Sequence, residues 1–169
     1  MILITKARLS RTADSDSIHS IEWQKLRPPQ NMTMPAGGAA YRDGVLFCSQ
    51  GNTAPGSGGL YYMALQRPPV PMVTNYFGCN FNSVHAVAVA KSDGALWFTD
   101  PCHGADRGIR QSPQLPCQVY RYYPQTGDLR VVADGLGRPH GIALSPDDKT
   151  VYITDSDAFR ANQDHEPTR

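Results

Sequence analysis

Residues 84–101 read VHAVAVAKSDGALWFTDP, and residues 139–156 read PHGIALSPDDKTVYITDS. The two stretches align at a shift of 55 residues. His85 falls on His140, Ala88 on Ala143 and Asp93 on Asp148. Trp97, Phe98, Thr99 and Asp100 fall on Tyr152, Ile153, Thr154 and Asp155. Each copy is a β-rich run, a polar turn rich in Ser, Asp, Gly or Pro, and a second β-rich run. That order predicts a hairpin, because β-branched and aromatic side chains suit a pleated surface and the turn residues break it.

A weaker copy lies 50 residues upstream, where DGVLF at 43–47 matches DGALW at 93–97. The outer halves match as well. GLYY at 59–62 resembles QVYR at 118–121, and residues 72–78 resemble residues 131–137. A unit of about 50 to 55 residues with four strands has the size of one propeller blade. The predicted blades run over about residues 36–78, 84–137 and 139–158, the third ending after its second strand. The expected fold class is therefore all-β, a truncated β-propeller of four-stranded antiparallel blades over residues 35–158. Residues 1–34 read as an extended N-terminal lead, and 159–169 as an irregular C-terminal tail. Propellers close with roughly 4 to 8 blades. An open edge of about two and a half blades is expected to pair with a second copy of the chain.

Composition agrees with this reading. The 169 residues include Gly 15 and Pro 14, with only 18% charged, which favours many turns and short strands. Lys+Arg 16 against Asp+Glu 15 leaves a net charge of +1, too little to drive binding to nucleic acid or an anionic membrane. No apolar run is long enough to span a bilayer, and no secretory leader is visible, so a cytoplasmic setting is expected. Cys48, Cys79, Cys102 and Cys117 show no C-x-x-C spacing. One or two disulfides can form among them, but without an export signal free thiols are the expected state.

Further motifs carry a resemblance. They are NYFG at 75–78, FNS at 81–83, LWFTDP at 96–101, QVYR at 118–121, ADG at 133–135, RP at 138–139, GIA at 141–143 and SPD at 145–147. Together they resemble the senescence marker protein/gluconolactonase family, in particular its fungal lactonohydrolase-like branch. The resemblance implies a six-bladed propeller that hydrolyses lactones with one divalent metal, calcium in the family, in the central channel. Two departures stand out. The family pattern Phe-Asn-Ser-Pro-Asn-Asp appears as FNSVHA at 81–86, with His85 at the ligand Asn and Ala86 at the acid. The pattern Pro-Asn-Gly-Ile-Ala appears as PHGIA at 139–143, with His140 at the second ligand.

The first strand of each blade lines the channel, so His85 and His140 are expected side by side at its mouth. Imidazole suits zinc, iron, copper or nickel where an amide oxygen suits calcium. His85 and His140 are thus the candidate metal ligands, against the alternative of two hydrogen-bonded neutral imidazoles. His103 and Asp100 join them as candidates for catalysis, and Asn82 and Ser83 for substrate binding. Asp100 and Asp155 have a second reading as acceptors of backbone N–H groups in turns. The insertion at 105–116 is a candidate lid over the mouth. The expected function is lactonohydrolase-like: opening a cyclic ester or related cyclic acyl substrate, in sugar-lactone or secondary metabolism. The competing expectation is a non-catalytic propeller remnant or binding module.

Overall fold

The computed structural model describes residues 4–12, 17–30 and 32–157. A first hairpin joins β1 (Ile4–Arg11) to β2 (Ile18–Leu26). Four strands follow in one antiparallel sheet: β3 (Pro35–Tyr41), β4 (Gly44–Ser49), β5 (Gly59–Ala64) and β6 (Val70–Val73). A short pair, β7 (Asn75–Tyr76) and β8 (Cys79–Asn80), leads to a second four-stranded sheet. That sheet is built from β9 (Val87–Val89), β10 (Leu96–Asp100), β11 (Gln118–Tyr123) and β12 (Asp128–Ala133). The helix α1 (His103–Asp106) lies between β10 and β11. A last hairpin pairs β13 (Pro139–Leu144) with β14 (Val151–Asp155).

The three hairpins share one register. Ala39 pairs with Leu46, Val89 with Leu96, and Leu144 with Val151. The first and third also break register at one place, between Pro35 and Gly38 and between Pro139 and Ile142. A bulge there re-aims the start of the strand, and His140 sits in the bulge of the third hairpin.

β9 lies beside β3 on one side and β13 on the other. The Gly37 N–H donates to the His85 carbonyl at 2.8 Å. A Cβ at residue 37 would lie 2.6 Å from that oxygen, so glycine permits the two backbones to meet. On the other side the Thr99 hydroxyl donates to the His140 carbonyl at 2.8 Å and accepts the Ala86 N–H at 3.1 Å. First strands of successive sheets thus stand side by side, an all-β, propeller-like arrangement. The strands described form no closed ring.

Leu46, Leu60, Phe81, Val84, Leu96, Phe98 and Tyr120 are fully buried in one core. Phe81, Phe98 and Tyr120 meet pairwise with ring centroids 5.2 to 5.4 Å apart. The lead at 1–34 contains the β1–β2 hairpin, which the sequence reading did not separate into strands. Its alternation is present, with Leu9 opposite Ile21 and Ala7 opposite Trp23. Leu9, Ile21 and Trp23 nonetheless stay exposed. No counterpart recurs in the other sheets to make that pattern visible. The predicted tail at 159–169 lies outside the described residues.

Candidate functional site

Three imidazoles converge where the first strands begin. His85 precedes β9, His140 is the second residue of β13, and His103 opens α1. The His85 and His140 rings lie 3.9 Å apart at a 42° tilt. The His103 ring stands edge-on to both, 5.6 Å from His85 and 5.5 Å from His140. All three are half-buried. His103 Nε2 is shielded from solvent and has no hydrogen-bond partner.

The surroundings favour the neutral form of His85 and His103. Burial, then the nearby His140, His103 and Arg107, pushes His85 down to about 4. Burial, followed by Arg107, His140 and Arg138, also lowers His103, with Asp106 opposing. Both rings therefore offer a lone pair rather than a second N–H at neutral pH.

α1 is fixed to its neighbours by two links. Arg138 reaches the Asp106 carboxylate through Nε at 2.7 Å and Nη2 at 3.0 Å. Arg138 directly precedes Pro139 and His140, so this bidentate pair ties the helix carrying His103 to the strand carrying His140. The second link is a disulfide between Cys102 and Cys117, with Cα atoms 6.0 Å apart. This corrects the expectation of free thiols at those two positions, while Cys48 and Cys79 are free. The reason is register. Asp100 pairs with Gln118, which brings the residues just beyond each strand end within disulfide reach. Cys102 is thereby removed as a partner for His103.

The insertion at 105–116 is pinned by Arg110. Its guanidinium donates to the carbonyls of Asn82, Phe81 and Asn52 and to Ser57 Oγ. Gly104 leaves room for it, since a Cβ there would sit 2.2 Å from Arg110 Cγ. The segment expected as a lid is therefore anchored across the loops at 52–57 and 81–82.

Asp100 is fully buried, and its two carboxylate oxygens accept the N–H groups of Asn82 at 2.9 Å and Ser83 at 2.6 Å. Asp155 does the same in the last hairpin, accepting from Gly137 at 2.9 Å and Arg138 at 2.7 Å. Burial pushes Asp100 up to about 7, against the opposing bonds from Asn82 and Ser83 and the charge of Arg110. At the more open Asp155 burial also pushes up. There the N–H groups of Arg138, Gly137 and Asp157 win, and the carboxyl is lowered. Asn82 and Ser83, the substrate-binding candidates, are buried. The Asn82 amide donates to the carbonyls of Leu115 at 2.9 Å and Pro116 at 3.2 Å, and its Oδ1 has no partner. Ser83 Oγ lies 3.4 Å from Gln50 Oε1.

A pH prediction follows. Between pH 3.8 and about 7 the folded state holds the Asp100 proton more tightly than the unfolded chain, so this group makes stability fall as pH rises. His85 acts oppositely. Its proton binds more weakly in the folded state, so stability falls as pH drops from 6.5 to about 4. Asp100→Asn removes the first effect and leaves one N–H without its oxygen, at about 1 to 3 kcal/mol. Urea midpoints for this variant should lie below those of the parent and climb from pH 4 to 6.5 more steeply. A parallel pair of curves would contradict the assignment.

A divalent metal is what the sequence resemblance implies at His85 and His140. Two imidazoles are fewer than the three or four protein ligands a metal site uses. Among the described residues, no group of three or more His, Cys, Asp or Glu is arranged to hold a metal. The residues in this arrangement do not fit the group, and no chemistry below is routed through one.

Comparisons with known proteins agree with the geometry. A family model for the SMP-30/gluconolactonase/LRE-like region matches residues 4–163. Lactonohydrolase oryL of Aspergillus oryzae is 33% identical over 150 residues, covering 84% of this chain and 34% of that protein. The gluconolactonase of Zymomonas mobilis is 38% identical over 95 residues, covering 54% of this chain and 26% of its own length. A solved gluconolactonase from Xanthomonas campestris superposes with a TM-score of 0.64 at 29% identity, over 73% of this chain and 41% of that one. A second solved structure shares the fold at 20% identity, with a TM-score of 0.66 over 81% of this chain and 46% of the other. The chain spans about a third of the length of the oryL relative.

Proposed function

Because this chain belongs to the SMP-30/gluconolactonase/LRE-like family, we propose that it opens cyclic esters by hydrolysis at the cluster of His85, His103 and His140. The observation that carries this reading is the convergence of three half-buried imidazoles at the start of two adjacent first strands and on α1.

Neutral His85 accepts a hydrogen bond from the attacking water. As water adds to the carbonyl carbon, its proton passes to the imidazole and negative charge collects on the carbonyl oxygen. The ring C–O bond then breaks, and the leaving alkoxide takes the proton back from the His85 imidazolium. One water is consumed, and a hydroxy acid results. His85 is a weak base in its resting field, because burial, and then His140, His103 and Arg107, disfavour its protonated form. The developing oxyanion reverses that field and strengthens the base when it is needed. The relatives' names, lactonohydrolase and gluconolactonase, support small lactones of the sugar-acid or secondary-metabolite type as the substrates.

The test is proton release from glucono-δ-lactone and from an aromatic lactone, with the spontaneous rate subtracted. Calcium, zinc and manganese are each added in separate runs. Turnover above background by the folded chain is the expected result. A folded sample that gives none under every metal condition would remove the reading in favour of a binding role.

A further inference from the structure

The NYFG stretch at 75–78 takes no part in the imidazole cluster. Asn75 pairs with Asn80 and Tyr76 with Cys79, so Phe77 and Gly78 form the two-residue turn of the β7–β8 hairpin. Both have positive φ, 48° at Phe77 and 85° at Gly78. Such a turn favours Asn-Gly, because an L side chain with positive φ crowds its own backbone. Phe77 occupies it all the same and is 88% exposed. Its ring meets Tyr76 edge-on at 4.7 Å. A large apolar side chain that strains its turn and faces water adds little to folding. Local choices that oppose the fold in this way concentrate at binding sites.

Phe77 lines a groove of about 540 Å³, a volume typical of small-molecule clefts. Thr74, Asn75 and Tyr76 line it from the side of the first four-stranded sheet, and Tyr122 and Asp128 from the second. None of the three imidazoles lines it. Asp128 is the one charged residue of the lining, and Arg130 balances it from 2.9 Å. The groove therefore suits a ligand without net charge. A wholly apolar ligand does not fit, because it would displace water from Asp128, Asn75 and Thr74 and leave their polar groups unpaired. Asn75 Oδ1 already accepts the Gly78 N–H at 3.1 Å, so the amide offers a ligand its NH₂ group. Three aromatic rings thus stand with one amide donor, one hydroxyl and one carboxylate acceptor. That mixture matches a ring with C–H faces and hydroxyl edges.

We propose that this groove binds a neutral saccharide, with a C–H face of the sugar against Phe77 and its hydroxyls toward Thr74, Asn75 and Asp128. The site uses none of the residues assigned to hydrolysis and does not rest on the lactonase reading. Phe77 carries most of the apolar contact, and its place in the turn is the cost of presenting it.

Cellobiose is the probe, with indole as a ring that lacks hydroxyls. Saturation-transfer NMR on the full chain reads binding directly and needs no lactone turnover. The expected result is transfer to cellobiose, strongest at the C–H protons of one sugar face, with a dissociation constant from its concentration dependence. Phe77→Asn should weaken cellobiose by about two- to tenfold, the range for one aromatic contact. The same variant puts Asn-Gly in the turn, so its urea midpoint should lie at or above that of the parent. Loss of binding without loss of stability is what a ligand-contacting Phe77 requires. A lower midpoint would show that Phe77 is kept for folding, and unchanged cellobiose affinity would show that it is no contact. Either result would overturn the proposal, as would no transfer to cellobiose in the parent chain, or transfer to indole in its place.

Discussion

His85→Ala is expected to lower kcat for lactone opening by about two to four orders of magnitude, the usual yield of a positioned general base. His140→Ala should fall in the same range. The two rings lie 3.9 Å apart, so removing either changes the field and the solvation of the other. Groups that act as a unit give non-additive losses. The double variant should therefore be little worse than either single one. KM should move less than kcat, because the base acts on water in the transition state. In the parent chain, kcat/KM should stay on its plateau down through pH 6 and fall only as His85 protonates near 4. A profile that falls through the ordinary imidazole range near 6.5 instead would show that an unperturbed histidine controls the rate, and would displace His85 from the base role. Additive losses in the double variant would show two separate roles rather than one cluster.

The fold was legible where the chain repeats itself. Equivalence of Asp93 with Asp148, and of residues 97–100 with 152–155, fixed the hairpins, and the structure places Val89 with Leu96 and Leu144 with Val151 in the matching register. Side-chain alternation has a period of 2, so a recurring pattern determines which face is buried. Proximity of His85 to His140 was readable for the same reason, since equivalent positions on adjacent first strands become neighbours. Non-repeating contacts were hidden. Nothing in the spacing of Cys102 and Cys117 reveals that Asp100 pairs with Gln118. Arg138 and Asp106 meet only because α1 folds back toward β13. Arg110 reads as an ordinary cation in a polar insertion, and its anchoring of loops 52–57 and 81–82 depends on that insertion's path. The β1–β2 hairpin has a readable alternation but no internal copy to confirm it.

Phe98→Ala is expected to destabilise the fold by about 3 to 5 kcal/mol. Phe98 is fully buried, stacks on Tyr120 at 5.4 Å and meets Phe81 edge-on at 5.3 Å. Two well-packed aromatic contacts leave little room for the cavity to collapse. A domain with a total stability of about 5 to 15 kcal/mol would lose a large part of it. The effect should reach the histidines. Residue 98 is followed in β10 by Thr99, whose hydroxyl bridges the Ala86 N–H and the His140 carbonyl, and by Asp100, which holds Asn82 and Ser83. β10 therefore joins the aromatic core to the segments that present His85 and His140. Phe98→Leu keeps most of the volume and should cost less than half as much, with the imidazole cluster intact. The informative comparison is Thr99→Val, which removes the bridge and leaves the core filled. If Phe98→Leu keeps turnover while Thr99→Val lowers it with a smaller loss in the urea midpoint, the bridge positions the cluster and the core only supports it. If both variants lose activity in proportion to stability, the cluster depends on packing alone.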